Sequence, residues 1–385
     1  MGFKILIVDD EPDVELLIRQ RFRRKIRDGE FEFSFALNGQ EALDKLAADS
    51  AIDIVMSDIN MPVMDGLTLL SRLTDLDRVL RTVIVSAYGD MQNLRIAMNR
   101  GAYDFLTKPI DFEDFETTVY KTIQEIKGIK EGYQARQQLN AIQNELSVAS
   151  RIQQSILPRS FPAFPDRTDF EIYAEMNAAR EVGGDFYDFF LIDETHLGFV
   201  IGDVSGKGVP AAIFMAVSRT LLRATAMQGV SAARCLDYVN RVLVKQSETS
   251  MFVTVFYAIL NTSTGEVDYC IAGHNPPYVF SANGLQAVDE PRGIVAGLFE
   301  HTTYSGGTLR LEPGDGILLY TDGVTEANDA QDNEYSEERL QETLGATHQG
   351  STQEIISQLL ADVRSFTGSA PQSDDITALA LRYLG

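Results

Sequence analysis

The sequence predicts two domains of different fold class, joined by a helical segment. Between residues 3 and 118, short apolar strands alternate with helical patterns, which is typical of βαβ units around a parallel sheet. From residue 169 onward, long and often alternating strands occur in runs with grouped helices, which favours an α+β sandwich. A length of 385 residues suits two domains of ordinary size and a connector better than one domain.

The first domain is predicted to contain five parallel strands, at residues 3–8, 31–37, 53–57, 82–86 and 104–107. Polar side chains end or directly follow three of these strands: Asp9 and Asp10, Asp58, and Lys108. The functional crevice of an open parallel sheet lies at the carboxyl ends of its strands. We therefore expect these side chains to converge there.

The connecting segment is predicted to be helical from residue 112 to about residue 157. Its apolar residues are spaced by three, four and seven: Val119, Ile123, Ile126, Leu139, Ile142, Leu146, Ala149 and Ile156. This spacing indicates an amphipathic or coiled-coil helix with a phase slip between Ile126 and Leu139, and an ordinary helix packed on its own domains is the alternative. The prolines of SFPAFPD, at residues 160–166, cannot continue the helix.

The second domain is predicted from strands such as FEIYAEM, LGFVIGD, MFVTVFYAIL, EVDYCIA and GILLYTD. Two helical segments are expected, near residues 210–228 and 231–245. Cys235 falls in a helical pattern and Cys270 in a strand pattern, so we expect two buried reduced thiols rather than a disulfide or a thiolate metal site.

Composition and charge exclude several classes of protein. Hydrophobic residues make up 44% of the chain and charged residues 23%, which indicates globular domains. The net charge of −23, with no stripe rich in lysine and arginine, argues against nucleic acid as a partner and against a DNA-binding regulator. No apolar run is long enough to span a membrane, so we expect a cytoplasmic protein with no membrane partner.

The first acidic set has the chemistry to receive a phosphoryl group. Asp9, Asp10 and Asp58 offer the carboxylate oxygens that Mg²⁺ prefers, and the ion would offset repulsion between a carboxylate nucleophile and an anionic phosphoryl group. Lys108 and Ser86 supply a compact positive charge and a hydroxyl that suit phosphoryl oxygens.

Four motifs carry a family resemblance in this region: VDDE at residues 8–11, D-x-x-MP-x-MDG from Asp58, VSAYGD from Val85, and FLTKP ending at Pro109. Together they resemble the response-regulator receiver family over about residues 1–125. The resemblance implies a flavodoxin-like α/β fold and a histidine kinase or phosphotransfer protein as partner. It implies the following site residues: Asp58 as phosphoacceptor; Asp9, Asp10, Asp58 and the carbonyl of Asn60 around Mg²⁺; Ser86 and Lys108 on the phosphate; Phe105 as switch aromatic; and a cis bond at Lys108–Pro109.

The second acidic set consists of Asp185, Asp203, Asp322 and Asp374, each in a separate segment, and three of them fall beside glycines at the edges of predicted strands. Carboxylates without histidine or cysteine favour Mg²⁺ or Mn²⁺ over zinc, and two such ions can activate a bridging water for attack on a phosphoester. The GGDF at residues 183–186 superficially resembles the loop of diguanylate cyclases, but the residues that follow and the antiparallel surroundings differ, so we reject that interpretation.

The segments AREVGGDFYDF, GDVSGKGVPAAIFMA, AGHNPPY and YTDGVTEA resemble the SpoIIE-like branch of the metal-dependent serine/threonine phosphatases (PPM) over about residues 160–385. The resemblance implies a sandwich of two antiparallel sheets flanked by helices. It implies two Mn²⁺ or Mg²⁺ ions with these ligands: Asp203 on both ions, Asp185 and the Val204 carbonyl on one, Asp322 and Asp374 on the other, with Asp375 as an alternative to Asp374. Arg180 is a candidate phosphate anchor or an exposed structural residue, and His274 is expected to be structural and not catalytic.

These observations predict a receiver domain at residues 1–125, a helical or coiled-coil linker at 126–159, and a phosphatase domain at 160–385. The linker sequence ELSVASRIQQSILP resembles the segment that precedes this phosphatase branch, and the linker helix is a possible homodimer contact. The expected function is a response regulator whose phosphatase output acts on a phosphorylated STAS-type anti-sigma-factor antagonist. The alternative is a docking protein with a catalytically silent phosphatase fold, controlled by phosphorylation.

Overall fold

The computed structural model describes residues 2–76, 78–246 and 250–385, and it divides into two compact units, residues 1–142 and 143–385. Within the described residues, we find no helix that is both long and apolar enough to cross a membrane. The sequence-based domain boundaries at residues 125 and 159 stay predictions.

The N-terminal unit is an α/β domain around one parallel sheet. Its elements in chain order are β1 (Phe3–Val8), α1 (Asp13–Arg21), α2 (Arg23–Arg27), β2 (Phe31–Ala36), α3 (Gly39–Ala48), β3 (Ile52–Asp58), α4 (Gly66–Thr74), β4 (Arg81–Ala87), α5 (Met91–Asn99) and β5 (Asp104–Lys108). The sheet order is β2-β1-β3-β4-β5, and every pair is parallel. The predicted fold class and all five predicted strands are confirmed, with ends that differ by at most one residue.

The strands of this sheet form because apolar side chains are buried on both faces. Every residue of β3 is buried, as expected of a central parallel strand covered by helices. Polar side chains cap the helices on either side of β3 in the sequence. At the start of α3, Asn38 accepts a hydrogen bond from the N–H of Glu41, and at the start of α4, Asp65 accepts one from the N–H of Thr68. The central strand therefore delivers Asp58 to a fixed position at its carboxyl end.

A long helix, α6 (Phe112–Ile156), follows β5, and the division between the two units falls within its length. Its end agrees with the predicted stop before the proline-rich segment. Val119, Ile123 and Ile126 are buried in the core of the N-terminal unit, whereas Leu139 and Ile142 are each 55% exposed. The predicted phase slip thus coincides with a change from packed to exposed apolar residues.

The C-terminal unit is an α+β sandwich of two mainly antiparallel sheets. Its elements are β6 (Phe170–Asn177), β7 (Phe186–Leu191), β8 (His196–Val204), α7 (Val209–Ala226), α8 (Ala232–Gln246), β9 (Val253–Asn261), β10 (Glu266–Ala272), β11 (Tyr278–Ser281), β12 (Gly284–Ala287), β13 (Arg292–Gly293), β14 (Gly307–Arg310), β15 (Gly316–Tyr320), α9 (Asp322–Thr325), α10 (Ser336–Thr347), α11 (Thr352–Thr367) and β16 (Ile376–Tyr383).

One sheet has the order β13-β10-β9-β8-β7, with β14 also paired to β10, and the other has the order β12-β11-β15-β16-β6. The predicted sandwich and the helices α7 and α8 are confirmed. The sequence analysis missed α10 and α11, which cover the outer face of the second sheet. Cys235 and Cys270 are free and buried, as predicted, in α8 and β10.

Candidate phosphoryl-receiving and phosphatase sites

The N-terminal site lies where β1, β3 and β5 end. Lys108, the last residue of β5, places Nζ 2.6 Å from Asp58 Oδ2 and 2.9 Å from Asp9 Oδ2. The ligand atoms of Asp9, Asp10 and Asp58 all lie within 4.8 Å of one another. The convergence expected at the carboxyl edge of the sheet is therefore present in the structure.

The backbone after β3 fixes the Asp58 carboxylate. The N–H groups of Ile59 and Asn60 donate to Asp58 Oδ1, at 2.6 and 3.3 Å. Ser86 is buried at the end of β4, and its Oγ has no hydrogen-bond partner within the described ranges. A buried hydroxyl without a partner is rare and fits a position that an anionic oxygen would occupy.

Charge at this site favours a bound cation. Burial raises the pKa of Asp9, although the hydrogen bond from Lys108 acts to lower it. Burial alone would lower the pKa of Lys108, but its hydrogen bonds to Asp58 and Asp9 outweigh burial and raise it, so this side chain stays charged. Three carboxylates against one ammonium leave an excess of negative charge, which a divalent ion with oxygen ligands fits.

Two further sequence predictions concern the residues around Lys108. The Lys108–Pro109 peptide bond is cis. Phe105, the predicted switch aromatic, is 41% exposed on β5. Its part in switching stays a prediction.

The C-terminal site is built from both sheets of the sandwich. Asp185 directly precedes β7 and Asp203 lies near the end of β8, in one sheet. Asp322 opens α9 just after β15, and Asp374 lies just before β16, in the other sheet. Sheet topology therefore brings the segments that carry these four aspartates together although they are far apart in sequence.

Asp185 is the most deeply buried of the four, at 1% exposure. Its Oδ2 accepts hydrogen bonds from the hydroxyls of Thr377 and Thr321, at 2.6 and 2.7 Å. Burial raises its pKa well above the ordinary value, and the charges of Asp203 and Asp375 raise it further. These hydrogen bonds hold a carboxylate that is costly to bury without a cation.

Burial and neighbouring negative charges also raise the pKa values of Asp203 and Asp322. Burial raises the pKa of Asp203 to about 7, with a further contribution from Asp322. Burial also raises the pKa of Asp322, assisted by the charge of Asp374. Lys207 is the nearby compensating charge, with Nζ 2.9 Å from Asp374 Oδ2.

The spacing of these carboxylates differs from that of the first site. Among the parts of the chain that the structure describes, only the N-terminal aspartates form a set of three histidine, cysteine, aspartate or glutamate ligands within 4.8 Å. The C-terminal site instead combines the buried Asp185 with the half-buried Asp203, Asp322 and Asp374. Oxygen ligands of this kind suit Mg²⁺ or Mn²⁺.

Asp375 has a different environment from Asp374. Its carboxylate accepts hydrogen bonds from the backbone N–H groups of Ala179, Gly184 and Asp185, at 2.8, 2.6 and 3.4 Å. Asp374 thus contacts Lys207, while its neighbour Asp375 holds the loop before β7. This arrangement favours Asp374 as the metal ligand.

Two glycines allow the loop before β7 to approach its surroundings. A Cβ on Gly183 would lie 2.2 Å from Asp375 Oδ2, and a Cβ on Gly184 would lie 2.8 Å from the carbonyl oxygen of Val204. Both distances are too short for any side chain. The backbone carbonyl of Val204, which the sequence analysis proposed as a metal ligand, therefore lies against this loop.

The remaining two candidates have clearly different environments. Arg180 is exposed. His274 is buried, its Nδ1 lies 2.9 Å from Thr254 Oγ1, and its Nε2 lies 3.1 Å from the carbonyl oxygen of Tyr320. Burial lowers the pKa of His274 to about 4, so the ring is a neutral hydrogen-bonded link, in keeping with the structural role expected of it.

Sequence reasoning missed several residues that shape this site. Thr321 and Thr377 stand in the quoted segments TDG and SDDIT, and a hydroxyl beside a predicted ligand was the available signal. Lys207 stands in GDVSGKG, where a lysine next to carboxylates was the signal. Gln153, on α6, gave no signal, because a glutamine in a polar helix looks solvent-exposed.

Comparison with known proteins identifies a family for each of the two domains. The model of the response regulator receiver domain family matches residues 5–120, and that of the Stage II sporulation protein E (SpoIIE) family matches residues 193–384. Protein IcfG of Synechocystis sp. is 32% identical over 62% of this chain and 41% of its own length. Phosphoserine phosphatase RsbU of Bacillus subtilis is 30% identical over 68% of this chain and 77% of its own.

A solved structure shares the C-terminal fold. The SiaA-PP2C domain of Pseudomonas aeruginosa has a TM-score of 0.57 and 20% identity, covering 64% of this chain and 97% of that domain. Of the two curated relatives above, the chain spans less than half the length of IcfG and about three quarters of the length of RsbU. The chain belongs to the response regulators through its N-terminal receiver domain and to the SpoIIE-like PPM phosphatase family through its C-terminal domain.

Proposed function

We propose that this protein is a response regulator whose output is a metal-dependent protein serine/threonine phosphatase, controlled by phosphorylation of Asp58. The observation that carries the proposal is the set of one buried and three half-buried aspartates from both sheets, three of which have raised pKa values. Carboxylates with raised pKa values are costly to keep together without a cation, and a decayed site would be expected to lose some of them. The retained carboxylates favour an enzyme over a catalytically silent docking module.

In this proposal Asp203 contributes to both ion positions, Asp185 and the Val204 carbonyl complete one, and Asp322 and Asp374 complete the other. Mg²⁺ or Mn²⁺ bound there would lower the pKa of a bridging water and neutralise charge on the phosphoester. Thr321 and Thr377 orient Asp185 by donating hydroxyl protons to Oδ2.

At the receiver site, Asp58 is the proposed acceptor of a phosphoryl group from a histidine kinase or phosphotransfer protein. Asp9, Asp10, Asp58 and the Asn60 carbonyl would hold Mg²⁺, which would neutralise charge as the phosphoryl group approaches. The ammonium of Lys108 already contacts Asp58 and would bind a phosphoryl oxygen, and the partnerless Ser86 hydroxyl would donate to another.

The proposed substrate is a phosphorylated STAS-type anti-sigma-factor antagonist in a partner-switching pathway. The relative RsbU, named a phosphoserine phosphatase, supports a phosphoserine or phosphothreonine side chain as the reacting group. The chain itself carries a net charge of −23, so attraction between opposite charges contributes little to binding an anionic phosphoprotein. Recognition would depend on a docking surface.

The first experiment measures hydrolysis of p-nitrophenyl phosphate and of phosphorylated STAS proteins with Mn²⁺. Asp203→Ala should abolish both activities, and Asp166→Ala, at an exposed aspartate of the same unit, should leave them unchanged. Tight binding of the phosphoprotein without turnover by the wild-type chain would instead favour the docking module.

The second experiment tests control by the receiver. Acetyl phosphate should label the wild-type chain and the Asp44→Asn control, where an exposed helical aspartate is changed, but not Asp58→Asn. Labelling should change the phosphatase rate. An unchanged rate and oligomeric state after full labelling would refute control through Asp58.

We also propose α6 as the route of control and as a homodimer contact. Leu139, Ile142 and Ile152 are each more than half exposed along this helix, although they are large apolar residues. Pairing with a second copy would cover them. Sedimentation analysis of Ile142→Gln, compared with Gln143→Ala at the exposed position that follows, should show loss of the dimer in the first variant only.

A further inference from the structure

One side chain of α6 reaches the predicted metal-binding loop directly. Gln153 is 7% exposed, whereas Ile152 before it and Gln154 after it are exposed. Its Nε2 donates to the carbonyl oxygen of Gly183 at 2.6 Å, and its Oε1 accepts from the N–H of Gly183 at 3.1 Å. A single amide thus satisfies both backbone polar groups of one loop residue.

The same loop is held from its other side by Asp375. The Asp375 carboxylate accepts from the N–H groups of Gly184 and Asp185, and its Oδ2 leaves no room for a Cβ on Gly183. Gly183 and Gly184 have no side chains with which to hold their own position. The segment that delivers Asp185 to the site is therefore held between the Gln153 amide on α6 and the Asp375 carboxylate just before β16.

Loss of the Gln153 contact would affect the loop and not only the helix. Gly183 is buried, so its N–H and C=O would lack partners unless the loop moved to find water. Gly183 lies only two residues before Asp185, so movement of its backbone carries the Asp185 carboxylate with it. Asp185 would then leave the position at which Thr321 and Thr377 hold it.

We infer that Gln153 is the positioning residue through which α6 sets the place of Asp185, so that withdrawal or rotation of the last turns of α6 weakens the ion site formed with Asp203. This inference rests on the proposed function, since it names a means of regulating the same site. Gln153 touches neither substrate nor reacting atoms and acts only through Gly183. The contact gives the helix a direct path to metal occupancy.

The test compares Gln153→Met with Gln154→Met in the full-length chain. Methionine keeps the unbranched shape and helix propensity of glutamine but cannot make the two hydrogen bonds. Mn²⁺ binding is measured by titration calorimetry, with Asp203→Ala as the reference that retains the receiver ion. Asp203→Ala should abolish Mn²⁺ binding at the C-terminal site. At that same site, Gln153→Met should weaken Mn²⁺ binding about tenfold, which corresponds to about 1.4 kcal/mol. Gln154→Met should bind Mn²⁺ as the wild type does.

A second readout separates positioning from folding. Excess Mn²⁺ should restore most of the turnover of Gln153→Met if the substitution only weakens ion binding, and its thermal unfolding should stay close to that of Gln154→Met. Equal Mn²⁺ affinity of the two variants would overturn the inference. So would a loss of turnover that saturating Mn²⁺ does not restore.

The binding measurement also keeps this inference separate from the proposed function. If the wild-type chain hydrolysed no phosphoester but Gln153→Met still bound Mn²⁺ more weakly, the positioning role would stand and the phosphatase proposal would fall. If the wild type were active and both methionine variants bound Mn²⁺ equally, only the positioning role would fall.

Discussion

Replacing Asp188 with asparagine should destabilise the C-terminal unit, because Asp188 lies in a buried ion pair between β7 and α7. The side chain is fully buried, with Arg219 Nη2 2.8 Å from Oδ2 and Arg223 Nη1 3.2 Å from Oδ1. Burial raises the pKa of Asp188, although both arginines act to lower it. Asp188→Asn removes the negative charge and keeps the shape.

The magnitude follows from how deeply each partner is buried. The Arg219 side chain is 13% exposed and would be left without a counter-charge, whereas that of Arg223 is 43% exposed and can reach water. Breaking a buried ion pair by removing one partner costs about 3–5 kcal/mol. We expect about 3 kcal/mol for Asp188→Asn, the lower end of that range, because asparagine keeps a hydrogen-bond acceptor.

The assay is urea unfolding followed by far-UV circular dichroism, with amide hydrogen exchange of α7 as a local readout; the chain has no tryptophan. Asp289→Asn is the control, because Asp289 pairs with Arg292 and their side chains are 60% and 53% exposed. An exposed pair contributes less than about 1 kcal/mol. Exchange in α7 should rise only in Asp188→Asn.

A double variant tests the reasoning itself. Asp188→Leu with Arg219→Met removes the two most buried charges and should be less destabilised than Asp188→Asn, because the remaining Arg223 is 43% exposed and can reach water. The reasoning fails if Asp188→Asn unfolds at the same urea concentration as Asp289→Asn. It also fails if the double variant loses as much stability as the two single substitutions added together.

Three further predictions concern the same unit. Burial lowers the pKa of His274 from 6.5 to about 4. The stabilisation that depends on a neutral His274 is therefore fully present above pH 6.5, the unfolded-state pKa, and is lost as the pH falls toward 4. His274→Gln should reduce by about 2 kcal/mol the drop in the free energy of unfolding between pH 7 and pH 5, measured by urea unfolding at both pH values. Gly183→Ala should lower Mn²⁺-dependent hydrolysis at least about tenfold, because no Cβ fits there, whereas Gly128→Ala, in open space on α6, should raise helix stability by about 0.5–1 kcal/mol; equal activity of both variants would contradict this. Thr377→Val removes a hydroxyl that lies 2.6 Å from Asp185 Oδ2 and should weaken Mn²⁺ binding about tenfold in calorimetry. An unchanged Mn²⁺ affinity would show that this hydroxyl contributes nothing to ion binding.

The sequence was most informative where chemistry and chain order coincide. In the receiver domain, Asp9, Asp58 and Lys108 directly follow or end apolar strands, and parallel topology requires those strand ends to meet. The C-terminal aspartates were found from local motifs alone. Nothing in the spacing of Asp185 and Asp374 says that their segments approach, because that depends on how two sheets stack.

The contacts that sequence reasoning missed are made across elements far apart in the chain. Gln153 and Asp375 bind the backbone of Gly183 and Gly184, and a backbone group gives no residue-type signal to its partner. Helices α10 and α11 were missed although α11 has a capping box at Ser351 and Glu354. Ser351 and Glu354, three residues apart, were thus an available sequence signal for the start of α11.

The adjacent aspartates 374 and 375 make strand register part of the chemistry of this protein. Strand β16 begins directly after them and pairs with β6 from Ile376 to Tyr383 and with β15 along its length from Ala378 to Arg382. A slip of one residue turns every side chain of a strand to the opposite face. Because Asp374 and Asp375 directly precede β16, such a slip would also shift both carboxylates relative to Lys207 and to the loop that Asp375 holds. Substitutions at the far end of β16 that loosen its pairing would therefore displace both carboxylates from their partners at the site.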